Sequence, residues 1–161
     1  MFARLVNTDP DNFALTVLRL VLGVVFFAHG AQKMLGWFGG YGFSGTMGFF
    51  THQMSIPAPL AFLAIAAEFF GGLGLIVGFL TRVAAFGITV NMLVAILMVH
   101  HQFGLFMNWA GNQKGEGIEF HLLVLAISFA IMMMGAGAFS VDGWLSPGNR
   151  KELRVGAGRR G

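Results

Sequence analysis

Four long apolar blocks, separated by short polar or glycine-rich segments, dominate the pattern along the chain. They cover residues 13–35, 58–80, 83–103 and 118–138. Each block is about 20 residues long, which is the length that an α-helix needs to cross about 30 Å of hydrocarbon. The alternation of apolar and polar residues that is typical of membrane β-strands is absent. The pattern therefore predicts an all-α integral membrane protein, a four-helix bundle with one transmembrane domain over residues 13–145.

The segments between the blocks predict how the helices are connected. Residues 1–12 form a short polar lead, in which Asp11 or Asn12 could cap the first helix. The first loop, 36–57, is glycine-rich and aromatic, and its apolar residues recur at helical spacing, which predicts a short interfacial helix. A tight turn at Thr81–Arg82 makes the second and third helices antiparallel neighbours. The second loop, 104–117, is polar and is either a lid or a simple connection.

Small residues in the second block predict where helices approach closely. Ala67 and Gly71 are four positions apart, and so are Gly74 and Gly78. This spacing lets helix backbones come into contact, either within the bundle or in a homo-oligomer. Packing within the bundle is the more common use of such a pattern.

Composition agrees with a membrane protein. The hydrophobic fraction is 56% and the charged fraction is 11%, whereas soluble domains carry about 25% charged residues. Cysteine is absent, which excludes thiol–disulfide chemistry and thiolate metal sites. Any redox role must therefore use a bound cofactor or a partner protein.

The distribution of basic residues predicts the orientation in the membrane. The first block contains Arg19, His29 and Lys33 and is too long for a cleaved signal peptide. Four crossings place both termini on one side, together with Arg4, Arg82 and the basic residues of the tail, 146–161. The positive-inside rule makes that side cytoplasmic. Beside a membrane helix, the basic tail indicates orientation and contact with anionic lipids rather than nucleic-acid binding.

Ionisable residues collect in the outer half of the predicted bundle. At about 1.5 Å per residue, Glu68 lies near the midplane, and His29 and His100 lie at similar depths on two different helices. Glu119 and His121 begin the fourth helix at the outer surface. Apart from Arg19, the inner half has only uncharged polar groups, of which Asn91 and Ser128 are examples.

Glu68 is the most informative of these residues, because a carboxylate at the membrane centre costs at least about 2.5 kcal/mol. It must face the bundle interior, either in a pair with His29, Lys33 or Arg19 or in a ligand or proton site. Lys33 and Arg19 lie near the ends of their helix and could reach water with their long side chains. His29 lies deeper and is expected to need a partner inside the protein.

Three kinds of ligand suit these side chains. His29 and His100 could ligate a haem between two helices, and His29, His100, His121 and Glu119 are ligand types that zinc accepts. Two histidines at similar depth occur easily by chance, and the spacing of the zinc set is scattered, so both are less favoured and no metal is assigned. A quinone fits better, because its carbonyls need hydrogen-bond donors and its reduction needs protons.

The chain resembles the DoxX family of small bacterial inner-membrane proteins over residues 14–145. The resemblance rests on HGAQK at 29–33, on EFFGGLGLIVGFLTR at 68–82, on His100, on EFHLL at 119–123 and on GAGAFSVD at 135–142. It implies a multi-pass four-helix fold in the inner membrane. Some relatives resemble membrane subunits of quinone-reducing oxidoreductases, thiosulfate:quinone oxidoreductase among them. The motif positions that carry over are Gly30, Lys33, Glu68, Gly71, Gly72, Arg82, His100, Gly135, Gly137, Ser140 and Asp142.

These observations lead to one functional expectation and two rivals. We expect a redox-associated membrane subunit with a polar outer-half pocket that binds a quinone. In it Glu68 and His29 are the candidate catalytic groups, and Lys33, His100, Glu119 and His121 are the candidate ligand-binding groups. A partner redox protein would supply electrons. The first rival is a non-catalytic accessory or assembly subunit of a larger membrane complex, and the second is a small transporter.

Overall fold

The computed structural model describes residues 2–146, and every regular element within that range is helical. The α-helices are α1 (Phe2–Leu5), α2 (Phe13–Leu35), α3 (Gly42–Gly48), α4 (Ala58–Val77), α5 (Thr81–Ala95), α6 (Glu119–Met134) and α7 (Val141–Leu145). Two π-helical turns, Phe49–Gln53 and Ile96–His100, and two 3-10 turns, Trp37–Gly39 and His101–Phe103, extend these helices or follow them. The all-α prediction is confirmed.

Three helical segments within the described range are long and apolar enough to cross a membrane. They are Phe13–Leu35, Ala58–Val77 and Thr81–Phe103. Helix α6 is also apolar, but it has only 16 residues and falls below this length. It packs against α5 and α2, and α2, α4 and α5 pack in sequence beside each other. Membrane crossing is thus supported for three of the four predicted segments, and the fourth crossing stays a prediction.

Caps and turns set the ends of these helices. The Asn12 side chain accepts a hydrogen bond from the Leu15 backbone N–H at 3.1 Å, so the predicted cap of the first helix is confirmed. Helix α4 ends at Val77 rather than at residue 80, because Gly78 adopts the left-handed conformation with φ of 72°. Helix α6 ends at Met134 rather than at residue 138, because the next residue, Gly135, leaves the helical conformation with φ of 94°.

The predicted turn at Thr81–Arg82 is wrong, because Thr81 is the first residue of α5. The carboxylate of buried Asp142 accepts hydrogen bonds from the backbone N–H groups of Leu80 and Thr81 at 2.8 and 2.9 Å, and from the Thr81 hydroxyl at 2.8 Å. A carboxylate at a helix N-terminus accepts hydrogen bonds from free N–H groups, and its negative charge interacts favourably with the positive end of the helix dipole. The turn therefore comprises 78–80, and it still makes α4 and α5 antiparallel neighbours as predicted.

Arg19 closes the same end of the molecule, and the expectation that it reaches water is wrong. Its side chain is only 1% exposed. The guanidinium donates hydrogen bonds to five backbone carbonyls at the end of α4 and in the segment after α6, those of Leu75, Ile76, Ala136, Ala138 and Phe139. Free carbonyls at a helix C-terminus need donors, and the five N–H groups of arginine supply them in a fixed planar fork.

The two ends of the described chain also meet here. The Arg82 guanidinium donates to the backbone carbonyls of Leu5 and Asn7 and to those of Met132 and Met133. The Ser146 hydroxyl donates to the Asn7 side chain at 3.4 Å. We call the hydrogen-bonded groups of Arg19, Arg82 and Asp142 the closed end. The predicted basic tail lies outside the described residues apart from Ser146.

Glycines bring α2 and α4 unusually close together. A Cβ atom added at Gly30 would lie 2.4 Å from the backbone of Phe69, and one added at Gly72 would lie 2.4 Å from the backbone N of Phe27. No side chain fits at such distances, so glycine is required at both positions. The predicted small-residue face of α4 packs on the other side, where Ala67 lies near Gly87 and Gly71 near Ala84 of α5. Packing within the bundle is therefore supported for Ala67 and Gly71, and a contact in a homo-oligomer stays a prediction.

Replacing Arg19 by methionine tests the closed end. The variant leaves several buried carbonyls without donors, at about 1–3 kcal/mol for each unsatisfied group. We expect Arg19→Met to lower the free energy of unfolding by at least about 3 kcal/mol, measured by denaturant unfolding in detergent. Arg4→Met is the matched control, because Arg4 is exposed, and it should unfold like the native protein. Equal stability of the two variants would contradict the structural role of Arg19.

Replacing Gly30 by alanine tests the contact between α2 and α4. The added methyl group meets the Phe69 backbone, so the helices must separate, and overpacking of this kind costs about 1–3 kcal/mol. Gly48→Ala is the control, because a Cβ there meets nothing within 4 Å and alanine favours a helix. Thermal unfolding should show a lower midpoint for Gly30→Ala and no loss for Gly48→Ala. If Gly30→Ala unfolded at the same midpoint as the native protein, α2 and α4 would lie farther apart than they do in this structure.

Candidate functional site

A cavity of about 470 Å³ lies at the end of the molecule opposite the closed end. Helices α2, α4, α5 and α6 contribute to its wall, and so do the two π-helical turns and the second loop. Most of the wall is apolar, and its aromatic and methionine side chains are Phe26, Phe49, Phe50, Met54, Met92, Met98, Met107 and Phe120. The polar side chains in the wall are therefore few, and apart from His29 they fall into two groups.

The first polar group joins α2, α4 and α5 at the inner end of the cavity. The Lys33 ammonium lies 2.5 Å from a carboxylate oxygen of Glu68. Asn91 donates its side-chain amide to the other Glu68 oxygen at 3.4 Å and to the Ala64 carbonyl at 2.9 Å. The buried carboxylate thus has a counter-ion and a second donor, as a charge removed from water requires. We call Lys33, Glu68 and Asn91 the cavity floor.

The second polar group lies nearer the loops and contains two histidines. Asn91 and His100 are nine residues apart along one helical segment, which corresponds to about 13 Å. The rings of His100 and His121 have centroids 4.1 Å apart. Nδ1 of His100 and the backbone carbonyl oxygen of Glu116 lie 2.8 Å apart. We call His100, His121 and Glu116 the cavity mouth.

Local backbone geometry positions the mouth. The π-helical turn Ile96–His100 ends α5 and places His100 against α6 rather than along the regular helix. The second π-helical turn, Phe49–Gln53, supplies Phe49 and Phe50 to the wall. The helical spacing in the first loop predicted helix there, and α3 with this turn confirms it. Single π-helical turns occur frequently at functional sites.

Five of the six candidate site residues line this one cavity, and they are His29, Lys33, Glu68, His100 and His121. Glu119 does not. Its carboxylate accepts a hydrogen bond from the Met107 backbone N–H at 3.1 Å and so orders the second loop. The Glu116 carboxylate does the same for Asn108 at 2.6 Å. Glu119 therefore ties the loop to the start of α6, whereas Glu116 joins two parts of the loop itself.

Two expectations about the α2 residues need correction. Lys33 pairs with Glu68, which confirms one of the predicted partners of that carboxylate, and its side chain, 25% exposed, does not simply extend to water. His29 was expected to need a partner inside the protein. No group within residues 2–146 forms a hydrogen bond with it, and its exposed ring lies 6.5 Å from that of Phe26. His29 therefore borders the cavity with its polar atoms unused by the protein.

Two residues of the site were missed by the sequence reasoning. Asn91 was placed among the groups of the inner half, whereas it contacts Glu68 at the cavity floor. Its position nine residues before His100 in an otherwise apolar helix was the available signal. Glu116 gave no signal, because a glutamate in a polar glycine-rich loop is ordinary.

The alternative metal sites find little support in this geometry. Within the described part of the chain, no three His, Cys, Asp or Glu side chains are grouped so that they could hold a metal ion. Glu119 and His29, both needed for the zinc alternative, occupy different surroundings. For the haem alternative, the ring partner of His100 is His121 rather than His29.

Comparison with known proteins identifies the family of this chain. The model of the family described as DoxX matches residues 14–101, which is more than half of the chain. The chain belongs to the DoxX family. The matched range contains the cavity floor, together with His29 and His100, and it ends before Glu116 and His121.

Two DoxX-type relatives cover most of the chain. "Inner membrane protein YqjF" of Escherichia coli (strain K12) is 29% identical over 132 residues, which cover 82% of this chain and 92% of the relative. "Putative oxidoreductase CatD" of Bacillus subtilis (strain 168) is 27% identical over 134 residues, which cover 83% of this chain and 88% of the relative. No solved structure matches the chain significantly. Family and apolar helices together make this DoxX protein a multi-pass inner-membrane protein in contact with the lipid bilayer.

The ion pair of the floor should show an asymmetry between its two partners. Lys33→Met leaves a carboxylate that is 10% exposed without its counter-ion, whereas Glu68→Gln leaves a lysine that is 25% exposed. Removing one partner of a buried pair costs about 3–5 kcal/mol, and the more exposed charge loses less because water can reach it. We expect the unfolding midpoint in detergent to fall more for Lys33→Met than for Glu68→Gln.

The double variant Lys33→Met with Glu68→Gln provides the control. Because it leaves no unpaired charge, it should be more stable than Lys33→Met alone. If the two single variants lost equal stability, and the double variant lost the sum of both, the two side chains would not interact.

Proposed function

We propose that this DoxX protein is a redox-associated inner-membrane subunit whose cavity binds a quinone or a similar neutral, lipid-soluble ligand. The observation that carries the proposal is the cavity floor, an internally neutralised ion pair at the end of an apolar and aromatic cavity. The cavity volume of about 470 Å³ lies within the range of about 300–1,000 Å³ that is usual for small-molecule sites.

The proposal includes a topology with four crossings. Helix α6 spans about 24 Å, and it runs antiparallel to α5 from the mouth toward the closed end. A slightly short span is accommodated by local thinning of the bilayer. The closed end then faces the cytoplasm, because Arg4 and Arg82 lie in segments that meet there. The cavity mouth faces the opposite, outer side.

The charge of the floor favours a neutral ligand. Lys33 and Glu68 cancel each other, and Asn91 is uncharged, so the floor presents donors without a net charge. Lysine has three N–H groups, and one is used by Glu68, so others remain for a ligand oxygen. A quinone carbonyl accepts such hydrogen bonds, while its ring packs against aromatic and methionine side chains. An anionic sulfur compound would gain little from a floor without net charge.

Reduction of a bound quinone to the quinol takes two electrons and two protons. Glu68 and a histidine of the cavity are the groups that can hold and transfer protons there. Because the chain has no cysteine, we assign the electrons to a reduced partner protein with its own flavin or metal centre. The Bacillus subtilis relative is named "Putative oxidoreductase CatD", which agrees with this assignment.

An accessory role is the alternative function. The Lys33–Glu68 pair joins α2 to α4, so it could serve only to hold the helices for assembly with other subunits. In that case the cavity would bind no quinone, and Glu68→Gln would impair assembly instead.

Quinone binding can be measured directly by calorimetric titration of the purified protein with menadione in detergent. Ala95 lies in the cavity wall, and Ala95→Phe fills part of the cavity. We expect this variant to bind at least about tenfold more weakly, a loss of about 1.4 kcal/mol. Val90→Phe is the matched control, because Val90 belongs to the same helix, is 42% exposed and lies outside the cavity wall. It should bind as the native protein does.

Glu68→Gln tests the role of the floor in the same titration. Loss of the carboxylate frees Lys33 and changes the donors available to the ligand, so we expect an altered affinity. Absence of binding by the native protein, or unchanged affinity in both Ala95→Phe and Glu68→Gln, would refute the proposed function.

A further inference from the structure

The cavity floor has a different surrounding toward the loops than toward the closed end, and water can reach it more easily from the loops. Toward the loops, the cavity continues to the mouth, where Glu116 is exposed and His100 is half-buried. A volume of about 470 Å³ has room for several water molecules at about 30 Å³ each. The route from the floor to the mouth is therefore an open space edged by titratable groups.

Toward the closed end, the floor is sealed by an apolar layer. The buried side chains of this layer are Leu22, Phe26, Leu75, Ala85, Ile88, Met92, Val124 and Ile131. Beneath it lies Arg19, ten residues before His29 on α2 and so about 15 Å deeper. A fixed guanidinium bound to carbonyls opposes the passage of protons and cations, as basic residues do in selective pores. A second cavity of about 390 Å³ lies on this side between α4 and α5, but Glu68 is not part of its wall and no titratable side chain lines it.

We propose that Glu68 exchanges protons only with the water on the side of the loops, and that His100 and His121 carry these protons across the cavity mouth. The titratable groups around the route are His29 and Lys33 on α2, Glu68 on α4, His100 after α5, Glu116 in the loop and His121 on α6. This proposal rests on the proposed function only in the use of the protons, which is the reduction of a bound quinone.

The stacked histidines suit this transfer. Two imidazolium rings with centroids 4.1 Å apart would repel each other, so this geometry favours the transfer of a proton from the pair to the cavity water. In each transfer a histidine N–H bond breaks and an O–H bond forms on a cavity water, which releases one of its protons to form the O–H bond of the Glu68 carboxylic acid. A second proton from the loop side then restores the histidine. No electron moves in these steps, and the proton count balances.

Single cysteines can test the sidedness, because the chain has none of its own. Ala95→Cys places a thiol in the cavity wall between floor and mouth. In oriented proteoliposomes, a membrane-impermeant cationic thiosulfonate should label it at least about tenfold faster from the loop side than from the other side. Lys114→Cys and Arg4→Cys, both exposed, report labelling at the loop side and at the closed end. Equal labelling of Ala95→Cys from both sides, or none from either, would overturn the proposal.

Proton transfer can be followed at Glu68 itself by infrared spectroscopy. The carboxylic acid band that is missing in Glu68→Gln should rise after a drop in pH on the loop side. Removing the relay, with His100→Gln and His121→Gln together, should slow this rise at least about tenfold. His101→Gln is the matched control, because exposed His101 lies outside the cavity wall. An unresponsive Glu68, or an equally fast rise in the double variant, would overturn the proposal.

These results are separable from those on quinone binding. If menadione fails to bind while labelling is one-sided and the histidines carry protons, only the proposed function is lost. If menadione binds but Glu68 is protonated after a pH drop on either side of the membrane, only the proposal of one-sided proton exchange is lost.

Discussion

The close contact between α2 and α4 positions the charged side chains of the cavity floor. Gly30 and Gly72 let the two backbones touch, and this contact sets Lys33 within 2.5 Å of Glu68. A carboxylate inside an apolar helix needs such a partner, because the surrounding lipid offers none. The pair in turn fixes the inner end of the cavity, and Asn91 brings α5 to the same point.

The molecule therefore divides its polar groups between two ends with different roles. At the closed end, Arg19, Arg82 and Asp142 bond almost entirely to backbone groups and leave little capacity for a ligand. At the cavity, the histidines and Lys33 keep polar atoms that the protein does not use. Structural polar groups in membrane proteins satisfy backbone atoms, whereas groups that face a cavity are available for chemistry.

Sequence reasoning was most successful for features that depend on local composition and spacing. Apolar length predicted the helices 13–35, 58–80 and 83–103 to within a few residues, and the cost of a charge in lipid directed attention to Glu68. It was least successful where the partner is distant along the chain. The acceptors of Arg19 lie 56 to 120 positions away, and the carboxylate that caps α5 belongs to Asp142, 61 positions after Thr81. Local spacing carries no information on such contacts.

The candidate site was predictable in part for the same reason. Ionisable residues in apolar helices are rare, so Glu68, His29 and His100 could be recognised without a structure. Lys33 could equally well have reached water, and only the three-dimensional contact with Glu68 decides between these states. Asn91 is uncharged and Glu116 lies in a loop, so neither is unusual enough in sequence to be selected.

A neutral quinone-like ligand should occupy the cavity of this protein rather than its lipid-facing surface. Photolabelling with an azido-quinone, followed by mass spectrometry of the labelled peptides, tests it most directly. We expect labels on cavity residues such as Met92 and Met98, and loss of these labels when unlabelled quinone is added in excess. Labels spread over exposed residues outside the cavity, such as Phe86 and Val90, without competition by excess quinone, would contradict it.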